Sequence, residues 1–203
     1  FLPVPSAEYY CFIGWSTDYS NTPITDNYGK LNSAWSYEED LTLYANWRKV
    51  DEYADYDYIS TAKELAGISA SGKSLLVCDL DLGGESWTPI STFSGTFDGG
   101  YHTISNVDIV GVSSDMNVYA GLFGFATSSS IIKNIKVFQC SIIFDKWEMF
   151  LDAGFIVGNT EGHVENCRTE SCAMNVKGAA NNIKYKGVEF YCNGGGIAGV
   201  ARN

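Results

Sequence analysis

Asp79, Asp81, Asp98 and His102 are the side chains of this chain whose types and spacing come nearest to chemistry. If Asp79-Leu80-Asp81-Leu82 is a strand, both carboxylates point away from the face that the two leucines bury. Two carboxylates on one face suit a glycosidase pair, and with Asp98 added they suit a calcium site. The plainer reading is a solvated strand face followed by an Asp-Gly turn at Asp98-Gly99, with His102 a turn residue packed on its neighbour. His163 is the only other histidine. No Gly-x-Ser-x-Gly elbow and no His-Glu-x-x-His motif occurs. The expectation is a chain that is not an enzyme and needs no cofactor, with Asp79, Asp81 and Asp98 kept as calcium candidates.

The six cysteines, Cys11, Cys78, Cys140, Cys167, Cys172 and Cys192, make no Cys-x-x-Cys pair and no Cys/His cluster at zinc spacing. At 203 residues, the chain is too long for a disulfide-stapled miniprotein. The formal net charge is −11. Such a charge argues against nucleic acid and anionic membrane surfaces as partners. The acid is concentrated early, with ten Asp or Glu against three Lys or Arg in residues 1–58. No apolar run reaches the length of a membrane span. Phe1-Leu2-Pro3-Val4-Pro5 is no signal peptide, so a mature fragment or an excised piece is expected.

What must position these residues is a repeat. Gly-rich blocks occur at Gly121-Leu122-Phe123-Gly124, Gly154-Phe155-Ile156-Val157-Gly158 and Gly196-Ile197-Ala198-Gly199. Strands built around an asparagine occur at Asn106, Asn134 and Asn166. The asparagines are spaced by 28 and 32 residues, and Gly121, Gly154 and Gly196 by 33 and 42. A constant core with variable insertions predicts stacked coils, the extra residues of 175–185 looping out. The asparagines are expected to bond a neighbouring coil and their own turn. The glycines are expected to supply positive φ and close coil approach.

In this register Cys140 and Cys172 each follow an asparagine by six residues and would stack about 4.8 Å apart. Buried thiols, a disulfide, and a metal or reactive site are the three readings. Cys167 falls where Ile135 and Val107 fall, as a core thiol would. The last block has no asparagine strand after it, which predicts an unfinished coil. Its open edge would be covered by further sequence or by edge-to-edge contact with another copy.

Before the repeat, Tyr9–Trp15 and Leu41–Trp47 read as aromatic strands with Trp15, Trp35 and Trp47 in a small core. Turn-rich stretches such as Ser20-Asn21-Thr22-Pro23 separate them. Tyr10-x-Phe12-x-Gly14-Trp15-Ser16-Thr17-Asp18 followed by Leu41-Thr42-Leu43-Tyr44-Ala45-Asn46-Trp47 resembles the Listeria–Bacteroides repeat, a small β-grasp-like module of bacterial surface proteins. The likeness covers residues 2–47, and the family's opening strand and Gly-rich turn are missing. Residues 49–57 read as an acidic, tyrosine-rich linker. Thr61-Ala62-Lys63-Glu64 has capping-box spacing and predicts one helix over 61–70.

Trp87-x-Pro89-Ile90, Phe93-Ser94-Gly95-Thr96-Phe97-Asp98-Gly99, Gly121-Leu122-Phe123-Gly124 and Ile132-x-Asn134 together resemble the GLUG-motif repeat over residues 58–201. That resemblance implies a right-handed parallel β-helix on a bacterial secreted or surface protein, in a part that is not catalytic. The expected architecture is therefore all-β: a β-grasp-like module at 1–48, a linker at 49–57, and a β-solenoid at 58–203 with one short N-terminal helix. The expected function is adhesion or presentation of a ligand, glycan or protein, at the cell surface or outside the cell. A carbohydrate-binding or carbohydrate-degrading β-helix and a ligand-free stalk are the alternatives.

Overall fold

The computed structural model describes residues 1–17, 22–36, 40–110, 112–114, 117–144, 150–176, 184–185, 188–189 and 192–201. Asp18, Ser20, Asn21, the greater part of the 175–185 insertion, the side chain of Cys192, and Arg202-Asn203 lie outside the described residues. The chain divides into two compact units, Phe1–Asp55 and Tyr56–Asn203.

In the first unit, Tyr10–Ser16 pairs antiparallel with Tyr44–Lys49, and the register slips between Phe12 and Gly14. Phe12 is the buried centre, with the Trp15 and Trp47 rings meeting it edge-on at 5.5 and 5.6 Å. Trp35 remains 47% exposed, so the core uses two tryptophans instead of the expected three. Gly14 is held by space and backbone together: its φ is +145°, and a Cβ there would meet the Thr25 carbonyl oxygen at 2.4 Å. A short 3-10 turn, Asp51–Tyr53, follows the second strand, and the Tyr53 ring packs edge-on against Tyr9.

The second unit is a parallel β-helix. One sheet stacks Asp57–Ile59, Lys73–Leu76, Thr96–Asp98, Ile131–Lys133 and His163–Glu165, all parallel. A second runs from Leu80–Asp81 through Thr103–Ile109 and Lys136–Phe144 to Arg168–Glu170 and Ala173–Val176. A third stacks Ile90–Phe93, Phe123–Ala126, Val157–Thr160 and Ala198–Ala201. A fourth stacks Asn117–Ala120, Phe150–Gly154 and Cys192–Gly195, with Val112–Ser114 added antiparallel at its edge. Each coil visits the sheets in the same order, so one continuous core forms. Phe93, Phe97 and Phe123 interlock in it at 4.8 and 5.3 Å between ring centres.

The helix spans Ala62–Ala66, shorter than the expected 61–70. Thr61 caps it and both halves of the capping box form. Gly67 ends it, and Leu65 joins the core beside Ile59.

The Gly-rich blocks form a seam where each coil turns from the fourth sheet into the third. Gly121 stacks on Gly154 and Gly154 on Gly195, so Gly196 falls one residue outside the expected register. None of the block glycines has positive φ; closeness requires Gly121, Gly154, Gly158, Gly195 and Gly199, whereas a Cβ on Gly196 would meet only the Thr169 hydroxyl oxygen, at 3.5 Å. A Cβ on Gly158 would meet the Gly124 oxygen at 2.8 Å and the Ala120 nitrogen and Asp152 oxygen at 2.9 Å. A Cβ on Gly199 would meet the Ala153 nitrogen at 2.4 Å. Backbone lies against backbone, with no side chain between. Gly83, by contrast, has φ of +66° and open space around it. We expect Gly158→Ala to destabilise the fold by about 3 kcal/mol or more and Gly83→Ala by about 1 kcal/mol. Thermal unfolding of both variants checks the order, and equal losses would refute the seam.

Candidate functional site

The three candidate aspartates do not converge. The Asp79 carboxylate accepts from the Thr103 backbone N–H at 2.8 Å and lies 3.2 Å from His102 Nδ1. Asp81 Oδ1 accepts from Asn106 Nδ2 at 2.8 Å and from the Gly83 N–H at 2.9 Å. Asp98 is buried, accepts from Gly100 N–H and Asn134 Nδ2 at 3.0 Å each, and pairs with Lys133 Nζ at 3.3 Å. Each carboxylate clamps its own turn or the next coil. The Thr103 N–H holds the Asp79 carboxyl below the usual carboxylate range, helped by His102. The Asn106 amide and the Gly83 N–H do the same for Asp81. Among the described residues, no group of three or more His, Cys, Asp or Glu could hold a metal ion.

The asparagines occupy two corners, where the sequence spacing suggested one. Asn134 and Asn166 stack at the first, with φ of 54° and 51°. There Asn166 Nδ2 donates to Asn134 Oδ1 at 3.2 Å, and Asn134 Nδ2 donates to Asp98. Asn106 stands at a second corner. Its neighbours Ser105 and Val107 pair with Phe138 and Cys140, which puts Gln139 above it and Ser171 above that. These three also have positive φ, 54°, 51° and 55°. Both corners need a left-handed residue and asparagine suits either, so like motifs marked unlike positions. Gln139 and Ser171 were missed because neither resembles a turn asparagine. The 33-residue step from Gly121 to Gly154 equals the step from Asn106 to Gln139 and was the signal that could have found them.

The thiols follow the same ladders. Cys140 pairs with Val107 in register, and Cys172 occupies the rung beyond it. Cys167 sits above Ile135, not Val107. Cys11, Cys78, Cys140, Cys167 and Cys172 are free thiols. Burial pushes the Cys140 thiol far up, with Cys172 adding to it, and burial raises Cys167 as well. Burial favours the protonated thiol at both positions.

What the second unit does offer is a groove of about 480 Å³ at its last coil, lined by His163, Val164, Asn166, Cys167, Ile197 and Ala198 among others. Tyr101 is a separate exposed feature, 77% accessible on a left-handed turn. Comparison with family models, with curated proteins and with solved structures finds no match to this chain.

Two outcomes test the clamps. Asn134→Ala should cost about 1–3 kcal/mol, because it removes a donor from a buried carboxylate; chemical denaturation measures it, and a loss below a few tenths would refute the ladder. The lowered native pKa values of Asp79 and Asp81 give stability that is present above the ordinary carboxylate pKa, about 4, and is lost as pH falls through and below it. Replacing both by Asn should make the decline in denaturation midpoint between neutral pH and pH 3 shallower than in the parent chain.

Proposed function

We propose that this chain is a non-enzymatic part of a bacterial surface or secreted protein, a β-helical scaffold that presents a binding surface for adhesion. The observation that carries this reading is where the chemically capable side chains are used. Asp79, Asp81, Asp98, Asn106, Asn134 and Asn166 all bond to turns or to neighbouring coils. A hydrolytic site would need two carboxylates facing one substrate at a defined separation. The placement at the cell surface rests on the resemblance of the two motif sets. The net charge of −11 favours a neutral or basic ligand over nucleic acid.

The exposed Tyr101 ring supplies a specific reason to include carbohydrate among the ligands, since an accessible aromatic face can stack on a sugar ring. Screening the whole chain against arrays of glycans and matrix proteins tests the proposal. Saturable binding with no shortening of the bound polysaccharide is the expected result, and Tyr101→Ala should weaken glycan binding by about tenfold. Depolymerisation of a bound polysaccharide by catalytic amounts of the chain would overturn the non-enzymatic reading.

A further inference from the structure

The corner between the first and second sheets has a different length in one coil. Lys133 pairs with Asp98 and Lys136 with Thr103, yet two residues separate the lysines where four separate Asp98 from Thr103. One coil further on, Glu165 and Arg168 again enclose two. The coil of Asp98 therefore carries two residues beyond what stacking on its neighbour requires. The turn closes from the His102 N–H to the Gly99 oxygen at 2.8 Å, so those two are Gly100 and Tyr101.

This turn is held along its whole backbone. The Gly99 and Tyr101 N–H groups donate to the Lys133 and Asn134 carbonyl oxygens at 2.8 and 2.9 Å. The Gly100 N–H donates to Asp98 Oδ1 at 3.0 Å, and the Thr103 N–H to Asp79 Oδ1 at 2.8 Å. Gly100 and Tyr101 are both left-handed, with φ of 56° and 62°. Glycine takes that conformation freely, but a bulky residue does not. The other left-handed non-glycine residues described in the β-helix are Asn106, Asn134, Gln139, Asn166 and Ser171, all of them polar. Tyr101 is the aromatic exception, and it is 77% exposed, outside the core. The fold gains little from the ring and bears an unfavourable backbone conformation beneath it. Such an outlier points to a role in binding.

The surroundings indicate the ligand. The turn neighbours Gly99, Gly100 and His102 supply no apolar rim, whereas a protein hot spot lies in a desolvated surround. A sugar suits an isolated aromatic face better, because its C–H face stacks while its hydroxyls stay in water. Asp79 adds an acceptor. Its side chain is 73% exposed, and its bonds to the Thr103 N–H and to His102 Nδ1 both use Oδ1. Among the described residues Oδ2 accepts no bond, so it can take a hydroxyl proton from outside. A carboxylate there, on a chain of net charge −11, disfavours an acidic sugar.

We infer that Tyr101 and Asp79 form a binding site for an uncharged glycan, with the ring stacked on one pyranose and Asp79 Oδ2 accepting from a hydroxyl. The inference rests on the reading of the chain as a non-enzymatic binding scaffold and gives that scaffold a site and a ligand class.

The test titrates neutral hexasaccharides of β-linked glucose, mannose and galactose, and an oligogalacturonate, into the whole chain while backbone amide resonances are followed. At least one neutral hexasaccharide should shift amides 99–103 saturably, and oligogalacturonate should leave them unmoved. Tyr101→Asn should weaken that binding by about tenfold without lowering the melting temperature, since asparagine accepts a left-handed turn. Asp79→Asn should weaken it by about fivefold. No shift with any neutral hexasaccharide at millimolar concentration, or unchanged affinity in Tyr101→Asn, would overturn the inference. So would a melting temperature lowered by several degrees in that variant, since the ring would then serve the fold. A glycan or matrix protein bound elsewhere on the chain would overturn this site and leave the scaffold reading standing. Shortening of a hexasaccharide would instead overturn the non-enzymatic reading itself.

Discussion

The β-helix depends on one contact that contains no side chain. Where each coil turns from the fourth sheet into the third, two strands pass backbone against backbone at Gly121, Gly124, Gly154, Gly158, Gly195 and Gly199. Sheets ordinarily pack about 10 Å apart because side chains fill the gap. Here that spacing collapses, and the small residues Ala120 and Ala153 are buried beside the glycines. The consequence reaches the core. Phe123 and Val157 follow directly on the seam, so its position sets how far each coil carries its apolar residues inward. It also fixes what can flank the turn. In one coil Tyr119 and Phe125 pack ring to ring at 5.9 Å. In the next, Asn159 Nδ2 donates to Asp152 Oδ2 at 2.7 Å at the matching positions. A partly exposed aromatic pair and a buried polar pair thus hold equivalent positions in successive coils.

The corners solve a different problem. A parallel coil must bend without leaving buried backbone groups unpaired. Left-handed residues make the bends, and polar side chains there bond along the stack. The cost of a positive φ on a non-glycine residue is offset where the side chain bonds along the stack, as at Asn106, Asn134 and Asn166. Gln139 and Ser171 occupy the same backbone conformation.

Much of this was legible from residue order. Thr61 and Glu64 announced a capped helix start, and both bonds formed. Asn134 and Asn166, 32 residues apart, gave a true register. Asn106 misled because sequence shows only that a residue tolerates a left-handed turn, not which turn it occupies. The glycines misled about cause for a similar reason: a Gly is equally consistent with positive φ and with steric closeness, and only the neighbouring strand decides. Asp79 and Asp81 were correctly seen as polar positions around a strand. Their partners, Thr103 and Asn106, come from the next coil and lie about two dozen residues away. Trp35 is 47% exposed, and the buried ring of the first unit is Phe12, set between Trp15 and Trp47.

These ladders also bear on what kind of function the fold can hold. A side chain that links coils is held by its neighbour, as Asp79 is by the Thr103 N–H and Asp81 by the Asn106 amide. The scaffold gains part of its order from these bonds between coils. The constraint weakens in two places. One is outside the ladders, at turns such as that of Tyr101, where a side chain is not needed by the next coil. The other is the groove lined by His163, Val164, Asn166 and Cys167. Groups already held in place cost less to order when a ligand binds, and in this β-helix both features are placed by the repeat itself.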